Sequence, residues 1–166
     1  MKYARENKLP LLGICFGMQI GAIEFARNVL KLSGADSTEL NPQTPYPVIN
    51  LLEDQKLDLL GGTMRLGLQT CRLEKDSKTY QIYQTETIDE RHRHRYEFNN
   101  DYIADFEKNG MKIAGRDIKT GLVEILEYVD HPWFITTQFH PEYKSTVLNP
   151  HPLFVDFIKT AYQLKK

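Results

Sequence analysis

The chain has 166 residues, 41% of them hydrophobic and 26% charged, and a formal net charge of −1. That length buries one good core rather than two, so residues 1–166 are read as a single domain. The composition excludes disorder, and the near-neutral balance excludes a global field that would draw the protein to nucleic acid or an anionic membrane.

The N-terminus, MKYARENKLPLLGIC, is basic but lacks the apolar core and cleavage site of a secretory signal. No run of about 18 apolar residues occurs anywhere, which predicts a cytoplasmic protein. LPLLGIC predicts a short strand buried on both faces, and hence a parallel sheet. From Gly17 to Leu32 the apolar residues Met18, Ala22, Phe25, Ala26 and Val29 recur at helical steps, and Gly34 supplies a stop. Pro42, Pro45 and Pro47 mark a loop over Asn41–Pro47. TMRLGLQTCRL follows a Gly61-Gly62 turn and alternates, with Met64, Leu66 and Leu68 on one face and Thr63, Arg65 and Gln69 on the other, as in a half-exposed strand. A short helix over Asp101–Lys108, closed by Gly110, precedes three strand candidates, MKIAGRD, LVEILEYV and WFITTQFH. HPLFVDFIKTAYQLKK predicts a closing amphipathic helix with Phe154, Phe157, Ile158 and Ala161 on one stripe.

Cys15 and Cys71 belong to no CxxC pair, so neither a disulfide framework nor a metal site is expected. Gly13-x-Cys15-x-Gly17 has the form of a nucleophile elbow, in which a reactive side chain sits on a sharp strand-to-helix turn. Small neighbours let the chain turn, and a helix N-terminus is expected to lower the thiol pKa below its free value of about 8.5. The backbone N–H of Phe16 would serve as an oxyanion donor. The competing reading of Cys15 is a small buried hydrophobe. QFHPEY supplies a base: His140 ends a strand candidate, and Glu142 follows the rigid Pro141, close enough to hold the imidazole's tautomer.

ERHRHRYE, if extended, puts Arg91, Arg93 and Arg95 on one face and His92, His94 and Tyr96 on the other. Four readings stand: a charged edge strand, a phosphate or nucleic-acid patch, a zinc site short of ligands, and recognition of a substrate carboxylate by a guanidinium fork.

GICFGMQ and QFHPE resemble the class I glutamine amidotransferases, which release ammonia from glutamine with a Cys–His–Glu triad. GADSTEL, LGGTMRLG, ERHRHRYEFN, HPWFITTQFHPEYKS and PHPLF, in that order along nearly the whole chain, narrow the resemblance to the glutaminase domain of the CTP synthase family. The resemblance implies the following assignments. Cys15, His140 and Glu142 are catalytic; Phe16, Gly17, Met18 and Gln19 line the glutamine pocket; Glu39 holds the substrate's amino group and Arg95 its carboxylate. It further implies a synthetase domain of the same enzyme, which uses ATP and magnesium to aminate UTP to CTP, GTP as activator, and a homo-oligomeric full-length enzyme. No cofactor or metal is expected in this chain itself.

The family pattern carries more before the elbow, including a glycine-rich loop with a second oxyanion donor, and no such loop lies among residues 1–14. The expectation is therefore a partial glutaminase domain, an incomplete α/β fold with a mostly parallel central sheet, flanking helices and some antiparallel strands, and an unpaired edge beside the elbow strand. A missing oxyanion donor costs a few kcal/mol of transition-state stabilisation, which predicts weak or absent activity of the isolated chain. Two alternatives remain, a stand-alone cysteine amidase or γ-glutamyl hydrolase and a non-catalytic interaction module of the same fold.

Overall fold

The structure, a computed structural model, describes residues 1–51 and 64–165. The elements run α1 (Lys2–Glu6), β1 (Leu11–Ile14), α2 (Phe16–Asn28), β2 (Ala35–Ser37), β3 (Tyr46–Asn50), β4 (Arg65–Leu73), α3 (Lys78–Tyr83), β5 (Thr87–His94), β6 (Glu97–Phe98), α4 (Ile103–Lys108), β7 (Met111–Asp117), β8 (Val123–Tyr128), β9 (Phe134–Thr137) and α5 (Pro152–Leu164). One 3₁₀ turn, Asn100–Tyr102, leads into α4, and another, Pro141–Lys144, follows β9.

A six-stranded sheet has the order β1-β9-β8-β7-β4-β5, and a small sheet the order β2-β3-β6. The α/β class with flanking helices is as expected, but the pairing is mixed rather than mostly parallel. Among the described residues of the larger sheet only β1 and β9 run parallel, Leu11 opposite Phe134 through Ile14 opposite Thr137, and the other four pairings are antiparallel. The short connections between β7, β8 and β9 account for this, since a parallel pair needs a crossover of a dozen or more residues. Among the described residues β1 pairs on one side only, and of its residues only Gly13 is buried. The strand expected to be covered on both faces is thus half-covered.

Two apolar clusters lie on opposite faces of the sheet. Alternation along β7 and β8 sends Ile113 and Leu126 to join Met18, Phe25 and Phe106 under α2 and α4, and Ala114 and Ile125 to join Trp133, Phe139 and Leu153 under α3 and α5. α5 is anchored by Leu153, by Phe157 against Trp133 at 5.1 Å, and by the Trp133 indole N–H donating to Asp156 at 2.7 Å. Ile158, expected on its inner stripe, is 63% exposed.

The alternation expected of β4 holds, and its leucines face outward. Leu66 and Leu68 are 56% and 55% exposed, while Arg65 turns inward. The expected Gly61-Gly62 turn and Thr63 lie outside the described residues. β3 begins at Tyr46 inside the stretch read as loop, and its Pro47 sits beside a bulge against β2, where a missing N–H is tolerated. The short α3 escaped the sequence reading, although Ser77 caps it by accepting from the Tyr80 N–H at 2.9 Å.

Candidate active site

β1 delivers the chain to Cys15, whose N–H donates to the Thr137 carbonyl at 2.7 Å and whose backbone then turns to φ 52°, ψ −103° as the N-cap of α2. A non-glycine residue in such a conformation stores strain, on the order of 1–3 kcal/mol, that persists only where the surroundings hold it. Gly13 is required for the close approach: a Cβ there would lie 2.7 Å from Thr136 Cγ2 and 2.9 Å from the Gly17 carbonyl oxygen. A Cβ on Gly17 would meet nothing within 4 Å, so the steric role expected of both glycines belongs to Gly13 alone.

The Cys15 sulfur lies 3.8 Å from the Gln138 amide nitrogen and 3.9 Å from the Arg93 carbonyl oxygen. Its pKa is raised, not lowered. Burial penalises the thiolate most; the Phe16 N–H lowers the pKa, Glu142 raises it, and the Gln138 amide lowers it again. The helix N-terminus acts in the expected direction but loses to desolvation, so the resting group is a thiol.

His140 follows β9 at the start of the 3₁₀ turn, and its N–H donates to the Arg91 carbonyl at 2.8 Å, which ties the base to β5. The ring Nδ1 faces Glu142 Oε1 at 2.6 Å, and the ring stacks on Tyr143 at 4.9 Å. A carboxylate can only accept, so Nδ1 carries a hydrogen, and in the neutral form of the ring Nε2 is the nitrogen with the lone pair. That Nε2 is buried without a partner among the described residues. This is the protonation pattern of a general base awaiting a donor. Among the described residues no hydrogen bond joins His140 to Cys15; each is oriented by its own neighbour, Glu142 for the ring and Gln138 for the sulfur.

An open cleft of about 260 Å³ beside the elbow is lined by Cys15, Phe16, Gln19, Glu39, Arg95 and Tyr96, among others. The sequence-derived residues Cys15, Glu39 and Arg95 therefore share one cavity, although residues 16–38 separate the first two and the third follows β5. Among the described residues neither Glu39 nor Arg95 has an ion-pair partner within the protein. Met18 does not join them. Its side chain is fully buried in the core under α2, and Gly17 presents only backbone.

The alternation read for ERHRHRYE holds in β5, where Arg91 and Arg93 are exposed and His92 and His94 buried. Beneath them β4 brings Arg65 to Glu124 at 2.7 Å, Asp117 at 3.0 Å and Glu97 at 3.2 Å. Sequence reasoning missed Arg65 and Gln138. Gln138 had a signal, since the two-residue period places it on the same face as His140.

Burial pushes Glu97 up to about 8 and Glu124 up to about 7, against the opposing charge of Arg65, and pushes His92 and His94 down to about 3. Between pH 6.5 and 8 the folded state retains carboxyl protons that the unfolded chain has released, so stability falls as pH rises. Below about pH 6.5 the two histidines oppose this, because the unfolded chain binds protons that the folded one refuses. The urea midpoint is expected to drop between pH 6.5 and 8 by the equivalent of roughly 1–2 kcal/mol, and Glu97→Gln to remove about half of the drop. A midpoint flat over that range contradicts it.

Among the described residues no group of three His, Cys, Asp or Glu side chains is arranged to hold a metal ion, and no helix is long and apolar enough to cross a membrane.

Residues 1–160 match the family described as Glutamine amidotransferase class-I. The chain is 57% identical over 164 residues to the CTP synthase of Christiangramia forsetii and 55% identical over 163 residues to that of Bacillus subtilis. Each alignment covers 98% of this chain and 30% of the relative, so the chain spans less than a third of the length of these curated proteins. The glutaminase domain of Trypanosoma brucei CTPS, solved with bound acivicin, matches with a TM-score of 0.91 at 35% identity, over 98% of this chain and 63% of that one. A glutamine amidotransferase of Thermotoga maritima, 15% identical, shares the fold at a TM-score of 0.52 over 85% of this chain and 44% of that one.

Proposed function

The chain belongs to the class I glutamine amidotransferase family, and on that premise we propose that it binds glutamine in the Cys15 cleft and splits it to glutamate and ammonia. Arg95 takes the α-carboxylate and Glu39 the α-ammonium, which lays the side-chain amide over the thiol. His140 Nε2 removes the thiol proton as Cys15 Sγ attacks the amide carbon, and the Phe16 N–H receives the developing oxyanion. The imidazolium, its charge steadied by Glu142, returns the proton to the departing nitrogen, so that ammonia leaves and a thioester remains. Water activated by the same imidazole then opens the thioester to glutamate and restores the thiol.

One observation carries this reading. A nucleophile on a strained elbow, an uncompensated carboxylate and an uncompensated guanidinium meet in a single cleft, the complement of a zwitterionic amino acid with a reactive side chain. Arg95→Leu and Glu39→Gln are each expected to raise the KM for glutamine by about tenfold or more, the worth of one charge-assisted contact, with kcat changed far less. A KM unchanged in both variants would overturn the assignment.

The fate of the ammonia depends on sequence outside this chain. In our reading it is the nitrogen source of a cytoplasmic, homo-oligomeric CTP synthase, whose synthetase domain aminates UTP with ATP and magnesium under activation by GTP. The 55–57% identity to CTP synthases supports this choice over other members of the family.

A further inference from the structure

Arg95 and Tyr96 lie between β5 and β6, outside both strands, so the bend that presents the Arg95 guanidinium is not held by a ladder. Two side chains hold it instead. The Tyr96 carbonyl accepts from the Gln19 amide at 3.0 Å and faces His94 Nδ1 at 3.3 Å.

The proton positions follow from what each partner can do. A carbonyl only accepts, so His94 Nδ1 carries a hydrogen, directed at the Tyr96 carbonyl and also 3.3 Å from Glu97 Oε1. Burial keeps His94 neutral, which leaves its Nε2 a bare acceptor, and His92 Nδ1 at 2.9 Å must be the donor to it. His92 Nδ1 also lies 3.5 Å from Glu124 Oε2, and its own Nε2 is a buried acceptor without a partner among the described residues. The two imidazoles therefore form a one-way series from His92 to His94 to the Tyr96 carbonyl. Gln19 closes the other side, because its amide nitrogen also lies 3.5 Å from Gln138 Oε1, and Gln138 contacts the thiol.

Resting on the glutamine site proposed above, we infer that His94 is a positioning residue for the substrate's carboxylate: its Nδ1–H fixes the Tyr96 carbonyl and thereby the bend that aims Arg95 into the Cys15 cleft. It touches no reacting atom. Its loss loosens recognition of the amino acid and leaves the thiol chemistry in place, since small displacements of an orienting group are enough to weaken a bound geometry.

The test is inactivation of the full chain by acivicin, with the half-saturating concentration and the limiting rate measured separately, alongside labelling of Cys15 by iodoacetamide, which has no amino-acid head group. His94→Gln shifts the amide away from the Nδ1 position and removes the clamp. His94→Asn keeps a donor near that position. His94→Gln is expected to raise half-saturation about tenfold with a limiting rate within about threefold, and His94→Asn to stay within about threefold of the parent, while iodoacetamide labelling is unchanged in both. Should His94→Gln not fold, as read by thermal melting, His94→Ser removes the clamp in its place. An unchanged half-saturation in the removal variant, or a parallel fall in iodoacetamide labelling, overturns the role of His94 alone. Failure of acivicin to label the parent saturably overturns the glutamine site itself, and this inference with it.

Discussion

Cys15→Ala is expected to lower glutamine hydrolysis by about 10⁴-fold or more while leaving the fold intact. The size of the effect follows from covalent catalysis. Without the sulfur no thioester forms, and the base, the oxyanion donor and the binding groups are left with water as the only nucleophile. The stability cost is small because the sulfur's hydrogen-bond contacts among the described residues are long, 3.8 and 3.9 Å, and alanine retains the Cβ at the elbow. Rate and melting temperature together decide the matter. Retained hydrolysis would remove Cys15 from the mechanism, and a large fall in melting temperature would recast it as a core residue.

Arg65→Leu is expected to destabilise the protein by about 3–5 kcal/mol, the usual consequence of removing one partner from a buried charge cluster. Arg65 is 12% exposed and is the cation for Glu97, Asp117 and Glu124, whose side chains are 1–2% exposed. In its absence three carboxyl groups share a buried interior, and Glu124 Oε2 and Glu97 Oε2 already lack hydrogen-bond partners among the described residues. Protonation relieves part of the penalty. The loss is therefore smaller at pH 5.5, where Glu97 and Glu124 are protonated with or without Arg65, than at pH 8, where their ionised forms depend on its charge. Urea unfolding at both values checks the sign, and a loss under about 1 kcal/mol at pH 8 would show the cluster to be solvated.

These two residues mark the boundary of what the sequence discloses. Cys15 was legible because an elbow is local: a strand, a glycine that must sit against Thr136, a turn and a helix follow one another without long-range help. His140 and Glu142 were legible for the same reason, being two residues apart across a proline. Arg65 was not. The alternation in TMRLGLQTCRL is equally consistent with either face inward, and the usual preference puts leucines inside. β4 does the opposite because carboxylates from β6, β7 and β8 meet on the inner side, while the outer side of this part of the sheet meets no layer of the described chain. The local rule also failed for the thiol, since a helix N-terminus can be read from sequence but the depth of burial that outweighs it cannot.

By itself the sequence determined the short-range facts: period-two alternation in β5, the strand–elbow–helix junction, the His–Glu pair, and motif identity extensive enough to name the family. Tertiary structure alone decided that Glu39 and Arg95 open onto the cavity of Cys15, that Met18 turns away from it, that most of the described sheet runs antiparallel, and that His92 and His94 turn inward, with His94 Nδ1 facing the Tyr96 carbonyl. The reason is physical. Local patterns fix backbone geometry through sterics and hydrogen bonds a few residues apart, whereas which face is buried, and which charges remain unpaired, depends on groups that become neighbours only when the chain has closed upon itself.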